Sequence, residues 1–220
     1  MAIERPSPNF DARLVPIDLL LLHYTGMQSA EAALQRLCDP VAKVSCHWLI
    51  EEDGTVHRLV AEARRAWHAG KSFWAGERDI NSRAIGIELV NPGHEWGYRP
   101  FPAAQMDALA DLATGIVRRH AIPATRILAH SDVAPDRKQD PGELFDWAWL
   151  ADRGIGLWPA ADAPVAAGDP AALLVALGHE AATADDIAAF QRRYRPARID
   201  GTLDAETARR IGQIALLHGI

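Results

Sequence analysis

Three short runs limit what this chain can fold into. Ile17–Leu22, Ile85–Val90 and Arg126–His130 have the length of strands and are too short for globular helices. The first is nearly all apolar, which suits a strand covered on both faces, as in the sheets of α/β proteins. Each run also brings one polar residue that a buried strand does not need. His23 follows the first, Glu88 lies within the second, and His130 closes the third.

The segments between these runs alternate in kind. Ser29 is placed to cap a helix over Ala30–Cys38, which Asp39-Pro40 stops. Val44–Glu51 and Thr55–Val60 flank Glu52-Asp53-Gly54, a hairpin signal. A polar, Trp-rich loop follows. Over Ala103–His120, Met106, Leu109, Ala110, Ala113, Ile116 and Val117 recur at the helical period, with Arg118 and Arg119 suited to the C-terminal end of the dipole. Glu143–Asp152 reads as a helix burying Phe145, Leu150 and one of Trp147 and Trp149. Residues 1–16 read as an extended lead-in. The result is a mixed α/β domain, a central sheet flanked by helices.

After Trp158 the sequence falls to Ala, Asp, Pro and Gly, a linker composition. Three helical patterns follow, over Ala171–Leu177, Thr183–Tyr194 and Leu203–Leu217. The expected division is a catalytic domain over 1–160, a linker over 161–170 and a small three-helix domain over 171–220. A unit of that size is near the lower limit of independent stability, so docking on the larger domain is expected.

Bulk properties exclude some functions. A formal net charge of -6 argues against binding a phosphate backbone, so nucleic acid is not an expected partner. No apolar run has the length of a transmembrane helix. Met1–Pro8 lacks the basic and apolar regions of an export signal, so a cytoplasmic protein is expected, with periplasm or envelope the alternative if the chain is trimmed. In a reducing compartment Cys38 and Cys46 are expected as free, half-buried thiols. No pattern fixes an oligomeric state.

The chemistry concentrates on His130–Gly142, read as an irregular, Pro-rich segment unable to form a helix. His23, His130 and Asp140 together would give tetrahedral Zn2+ three protein ligands and leave one position open, the pattern of a catalytic site. Such a site needs a base and a cation for developing negative charge, for which Glu88 and Lys138 are available. On residue types alone a His at a strand end serves equally as a packing residue, and Asp140 before Pro-Gly as a turn cap. Glu88 is harder to explain away, because an unpartnered buried carboxylate costs several kcal/mol.

Five segments in order, Leu22-His23-Tyr24-Thr25, Val44 to Ile50, Ala66-Trp67-His68-Ala69-Gly70, Ile85 to Leu89 and His130 to Gly142, resemble the zinc-dependent N-acetylmuramoyl-L-alanine amidases of type 2. That family is related to T7 lysozyme and the peptidoglycan-recognition proteins. The likeness runs to its AmiD-like branch, with the AmpD-like branch next, and Ala189-Phe190-Gln191 with Asp200-Gly201 resembles a peptidoglycan-binding helical module. The resemblance implies the T7-lysozyme-like amidase fold, Zn2+ on His23, His130 and Asp140, Glu88 as general base, and Lys138 stabilising the oxyanion. It implies cleavage between the lactyl group of N-acetylmuramic acid and L-alanine, with a muropeptide or peptidoglycan as partner.

Further residues are assigned to substrate. His47 and His68 contact substrate or support the ligands, or equally are satisfied polar residues beneath the cleft. Trp67 stacks on sugar or packs, with packing favoured. Arg137 and Asn91 are expected to meet carboxylate or amide groups of the stem peptide. Cytoplasmic recycling of muropeptides, including 1,6-anhydro ones, is the expected role. The alternatives are an envelope amidase acting on intact peptidoglycan and, as a minor reading, a recognition protein that does not cleave.

Overall fold

The computed structural model describes residues 2–220. A lead-in carries β1 (Ile3–Glu4) and β2 (Phe10–Ala12), then come β3 (Leu19–Tyr24), α1 (Ala30–Cys38), β4 (Trp48–Ile50), β5 (Val56–Arg58) and β6 (Arg64–Ala66). Next are α2 (Ile80–Arg83), β7 (Ala84–Leu89), α3 (Gly93–Trp96), α4 (Ala103–His120), β8 (Ile127–Ala129), α5 (His130–Val133) and α6 (Trp147–Ala151). The C-terminal helices are α7 (Pro170–Leu177), α8 (Ala184–Tyr194) and α9 (Ala205–Leu217).

The main sheet has the order β1-β5-β4-β7-β3-β8. Its centre is parallel, β3 pairing with both β7 and β8, whereas β4 and β5 form the antiparallel hairpin. Side chains alternate across it. Leu20, Leu22, Ile85, Ile87 and Leu89 face α4 and the Phe145–Leu150 segment. Leu19, Leu21 and Ala84 face the opposite side with Trp74 and Ile80, and Leu49 meets α1 there. Covering both faces is what the near-continuous apolar runs require, and Leu19–Leu22 are at most 1% exposed.

Several expectations are corrected. The lead-in is not merely extended: β1 extends the sheet beside β5, and β2 pairs with β6, a strand within the expected loop. The helix expected over Glu143–Asp152 is confined to α6, because Asp146 caps it by accepting from the Trp149 N–H. The segment after β8 does form a helical turn, α5, since Asp132 Oδ2 accepts the Ala129 N–H at 2.8 Å. Cys38 is a half-buried free thiol as expected, but Cys46 is fully buried behind α1.

The C-terminal helices enclose their own core of Leu174, Ile187, Phe190, Tyr194, Ile211 and Ile214. Thr183 and Asp186 form a reciprocal capping box on α8. The stretch with linker composition is pinned along α9. The Ala166 N–H donates to Gly212 O, and Gln213 Nε2 donates to Ala163 O. The unit also docks on the sheet domain: Ala75 N–H donates to Gly178 O, and the His179 ring meets Trp74 edge-on.

Candidate functional site

Strand register builds one half of the site. His23 and Glu88 are direct neighbours across the parallel β3–β7 pair, and Leu49 of β4 lies opposite Glu88 on its other side. By alternation both polar residues point to the face away from α4. His130 starts α5 at the end of β8, next to β3, and the loop beyond it returns Asp140. The Ser131 N–H donating to Asp140 O holds that return.

Three ligand atoms converge there. His23 Nδ1 lies 2.9 Å from His130 Nδ1, and each is 3.0 Å from Asp140 Oδ2. Neighbouring ligand atoms around a tetrahedral ion bonded at about 2.0–2.1 Å are about 3.3 Å apart, so this triangle is close to metal-binding dimensions. The outer contacts fit a cation too. His130 Nε2 meets the Ala69 carbonyl at 3.1 Å, an acceptor only, so the neutral ring keeps its proton on Nε2 and leaves Nδ1 bare. His23 Nε2 meets His68 Nδ1 at 3.0 Å. The bare His130 Nδ1 therefore faces the carboxylate lone pairs of Asp140, an arrangement that a bound cation relieves.

The charges agree. Burial, with His130 alongside, pushes the His23 imidazole down to about 4, so it is neutral at physiological pH. Burial alone would raise the Asp140 carboxyl, but the charge and N–H donors that His130 and then His23 offer when protonated outweigh it and hold the group well below the usual carboxylate range, a part that falls to a bound cation once the rings are neutral. Glu88 goes the other way. Desolvation and then the charge of Asp140 raise it well above an ordinary glutamate, with Lys138 opposing. Its Oε2 is buried with no hydrogen-bond partner among the described residues.

The triangle opens on a cleft of about 620 Å³ lined by Tyr24, Trp67, His68, Glu88, His94 and Lys138, among others. Lys138 is half-buried, and its ammonium has no carboxylate at ion-pair distance among the described residues. Trp67 also lines the cleft, with its indole N–H donated to Asp11 at 2.7 Å. His47 lies beneath: its Nδ1 accepts the Gly86 N–H, and its Nε2 faces the Arg64 carbonyl. Arg137 reaches the cleft, yet its guanidinium donates to the carbonyls of Ala69 and Lys71 and so ties down the loop that supports His130. Asn91 is not brought to the cleft. It is fully buried, donating to Arg99 O and accepting from the Gly93 N–H within its own turn.

Other supporting residues escaped the sequence reading. Gly86 leaves room for the His68 ring: a Cβ there would lie 2.6 Å from it. An isolated glycine inside a strand is the available signal for such a close approach. Tyr98 donates its hydroxyl proton to Pro141 O and stacks on His94, whose Nδ1 meets Tyr24 Oη at 2.8 Å. These aromatics brace one wall of the cleft and the loop bearing Asp140. No local pattern marks them.

Comparison with known proteins agrees with this geometry. The family profile described as N-acetylmuramoyl-L-alanine amidase matches residues 13–143, which contain all three converging ligands. AmiD of Escherichia coli is 36% identical, covering 87% of this chain and 79% of AmiD. Its structure in complex with the substrate anhydro-N-acetylmuramic acid-L-Ala-D-gamma-Glu-L-Lys superposes with a TM-score of 0.79 over 95% of this chain and 92% of that one. AmpDh3 of Pseudomonas aeruginosa in complex with an anhydromuramic pentapeptide, 30% identical, gives 0.80 over 91% and 92%. The 1,6-anhydro-N-acetylmuramyl-L-alanine amidase AmpD of Haemophilus influenzae, also 36% identical, aligns with 64% of this chain and 85% of AmpD. With a profile match over more than half its length and a fold shared nearly end to end, the chain belongs to the N-acetylmuramoyl-L-alanine amidase family.

Proposed function

We propose that the chain cleaves the amide between the lactyl carbonyl of N-acetylmuramic acid and L-alanine in muropeptides, with Zn2+ held by His23, His130 and Asp140. The observation that carries this is the triangle of His and Asp ligand atoms set beside Glu88, a half-buried carboxylate whose inner oxygen has no hydrogen-bond partner among the described residues. Bound there, Zn2+ supplies Lewis acidity toward the substrate carbonyl and makes water more acidic near neutral pH.

The chain's own residues account for the rest. Glu88 takes a proton from the attacking water, and its raised affinity for protons suits it to hold that proton and pass it to the departing alanine nitrogen. The C–N bond breaks, the lactyl carbon gains hydroxyl, and the nitrogen leaves as an amine. Lys138, an unpaired cation on the cleft wall, neutralises charge growing on the carbonyl oxygen. His68 and Ala69 O hold the ligand rings by their outer nitrogens. Trp67 and Arg137 contribute the surface beside substrate, Arg137 chiefly by fixing the 69–71 loop.

Anhydro-muropeptides are the substrates we favour, since AmiD and AmpDh3 are seen with such ligands and AmpD is named for them. That reading assigns the protein to recycling in the cytoplasm. The structure has no helix long and apolar enough to cross a membrane among its described residues. Mass spectrometry of products from a soluble anhydro-muropeptide and from intact sacculi tests substrate choice. Release of free stem peptide from the former alone is expected. Faster release from sacculi, with native protein fractionating to the envelope, would favour the wall-acting alternative.

A further inference from the structure

The Arg193 side chain leaves its own helical unit. It stands near the end of α8, yet it is 4% exposed because it is inserted into the sheet domain. Nη1 donates to Asp132 Oδ2 at 2.7 Å, and Nη2 donates to the Ile127 carbonyl at 3.0 Å. The guanidinium carbon lies 3.9 Å from the Trp147 ring centroid. Asp132 Oδ2 also takes the Ala129 N–H, the bond that turns β8 into α5. Arg193 therefore grips the chain at residues 127 and 132, on either side of His130. Its neighbour Arg192 approaches Glu143, the carboxylate that meets His94 Nε2 on the cleft wall.

We propose that Arg193 is a positioning residue for His130, so that the C-terminal helices are a structural part of the metal centre. The proposal rests on the reading of His130 as a metal ligand. Asp132 is 4% exposed, and without Arg193 its charge is buried with one backbone donor for a partner. The turn carrying His130 would then loosen to hydrate the carboxylate. A ligand set 1 Å loose is no longer preorganised, and partners outside the ligand set commonly govern 10–100-fold in metal affinity or activity.

The test uses the full chain, with zinc affinity read by competition against a chromogenic chelator, and kcat and KM on an anhydro-muropeptide. Arg193→Met is expected to weaken zinc binding at least about tenfold and lower kcat, with KM within about twofold. Arg193→Lys, which keeps the charge but not the fork, should fall between. Asp132→Asn in the Arg193→Met background should recover part of the affinity, because the amide oxygen still accepts the Ala129 N–H and no charge remains buried. As a control, Arg78→Ala removes an exposed ion pair to Glu180 across the same docking face and should leave zinc affinity unchanged.

Lower thermal stability with unchanged zinc affinity in Arg193→Met would overturn the proposal, making Arg193 only an attachment point. If Arg193→Met does not fold, unchanged affinity in Arg193→Lys overturns it equally. A parent chain that binds no zinc overturns the metal reading, and this proposal with it.

Discussion

Replacing Gly86 by alanine should damage the site through packing alone. The new Cβ would lie 2.6 Å from Cγ and Nδ1 of His68, whereas ordinary contact begins near 3.4 Å, so the ring must retreat by about 0.8 Å. His23 and His47 pack edge-on at centroid distances of 5.1 and 5.6 Å and block retreat on their sides, which leaves the ring a swing toward the cleft that gives up its contact with His23. A retreat along the His23 direction would distort the 3.0 Å bond that holds the His23 ring. Overpacking of this kind costs about 1–3 kcal/mol, equivalent to roughly 2–12 °C in Tm for a protein of this size. Differential scanning calorimetry of the metal-free chain reads the stability cost, and chelator competition reads the loss of zinc affinity. A double-mutant cycle isolates the contact: once His68→Ala has removed the ring, adding Gly86→Ala should cost nearly nothing. Additive losses in the two variants would refute the argument.

Other consequences can be checked as directly. His130→Ala should lose zinc and turnover together, whereas Glu88→Gln should keep zinc, by elemental analysis, while kcat falls by about 10²–10⁴. Equal metal loss in both would contradict the role given to Glu88. Stability should also depend on pH through His47, which burial pushes down to about 3. Below about pH 6.5 the unfolded chain takes up a proton that the folded imidazole refuses, so stability falls as pH drops from about 6.5 toward 3. The slope approaches 1.4 kcal/mol per pH unit, with an upper bound of about 5 kcal/mol. In thermal melts of metal-free protein, His47→Gln should show a shallower decline over that range, and parallel declines would exclude His47 as the source.

What was legible in the sequence was what periodicity and punctuation encode. Leu19–Leu22 had to be a covered strand, Met106 to Ile116 mark one face of α4, and Asp53-Gly54 turns the hairpin. His23, Glu88 and His130 stood out because each breaks an apolar run, and the structure does gather two of them with Asp140. β1 and β2 were not legible, because two or three exposed residues per strand leave no alternation to detect. Nor was the use of long polar side chains. Asn91 and Arg137 have the chemistry to hold a peptide, but the fold spends much of that capacity on nearby backbone groups. Arg193 carries no signal in the sequence that sets it apart from other helix arginines, and only tertiary docking buries it.

The spacing of the ligands along the chain also bears on how the protein folds. His130 and Asp140 are close in sequence, but His23 is 107 positions from the former. Joining it to them means closing the loop that parallel pairing of β3 with β8 demands. By the logarithmic scaling of loop entropy, that closure costs about 2 kcal/mol more than a ten-residue one. The His-His-Asp triangle is therefore expected to be complete only once the central strands have assembled, late in the folding reaction. Zinc added during refolding should leave the folding rate nearly unchanged and slow unfolding instead, acting as a latch on a finished sheet rather than a seed for it.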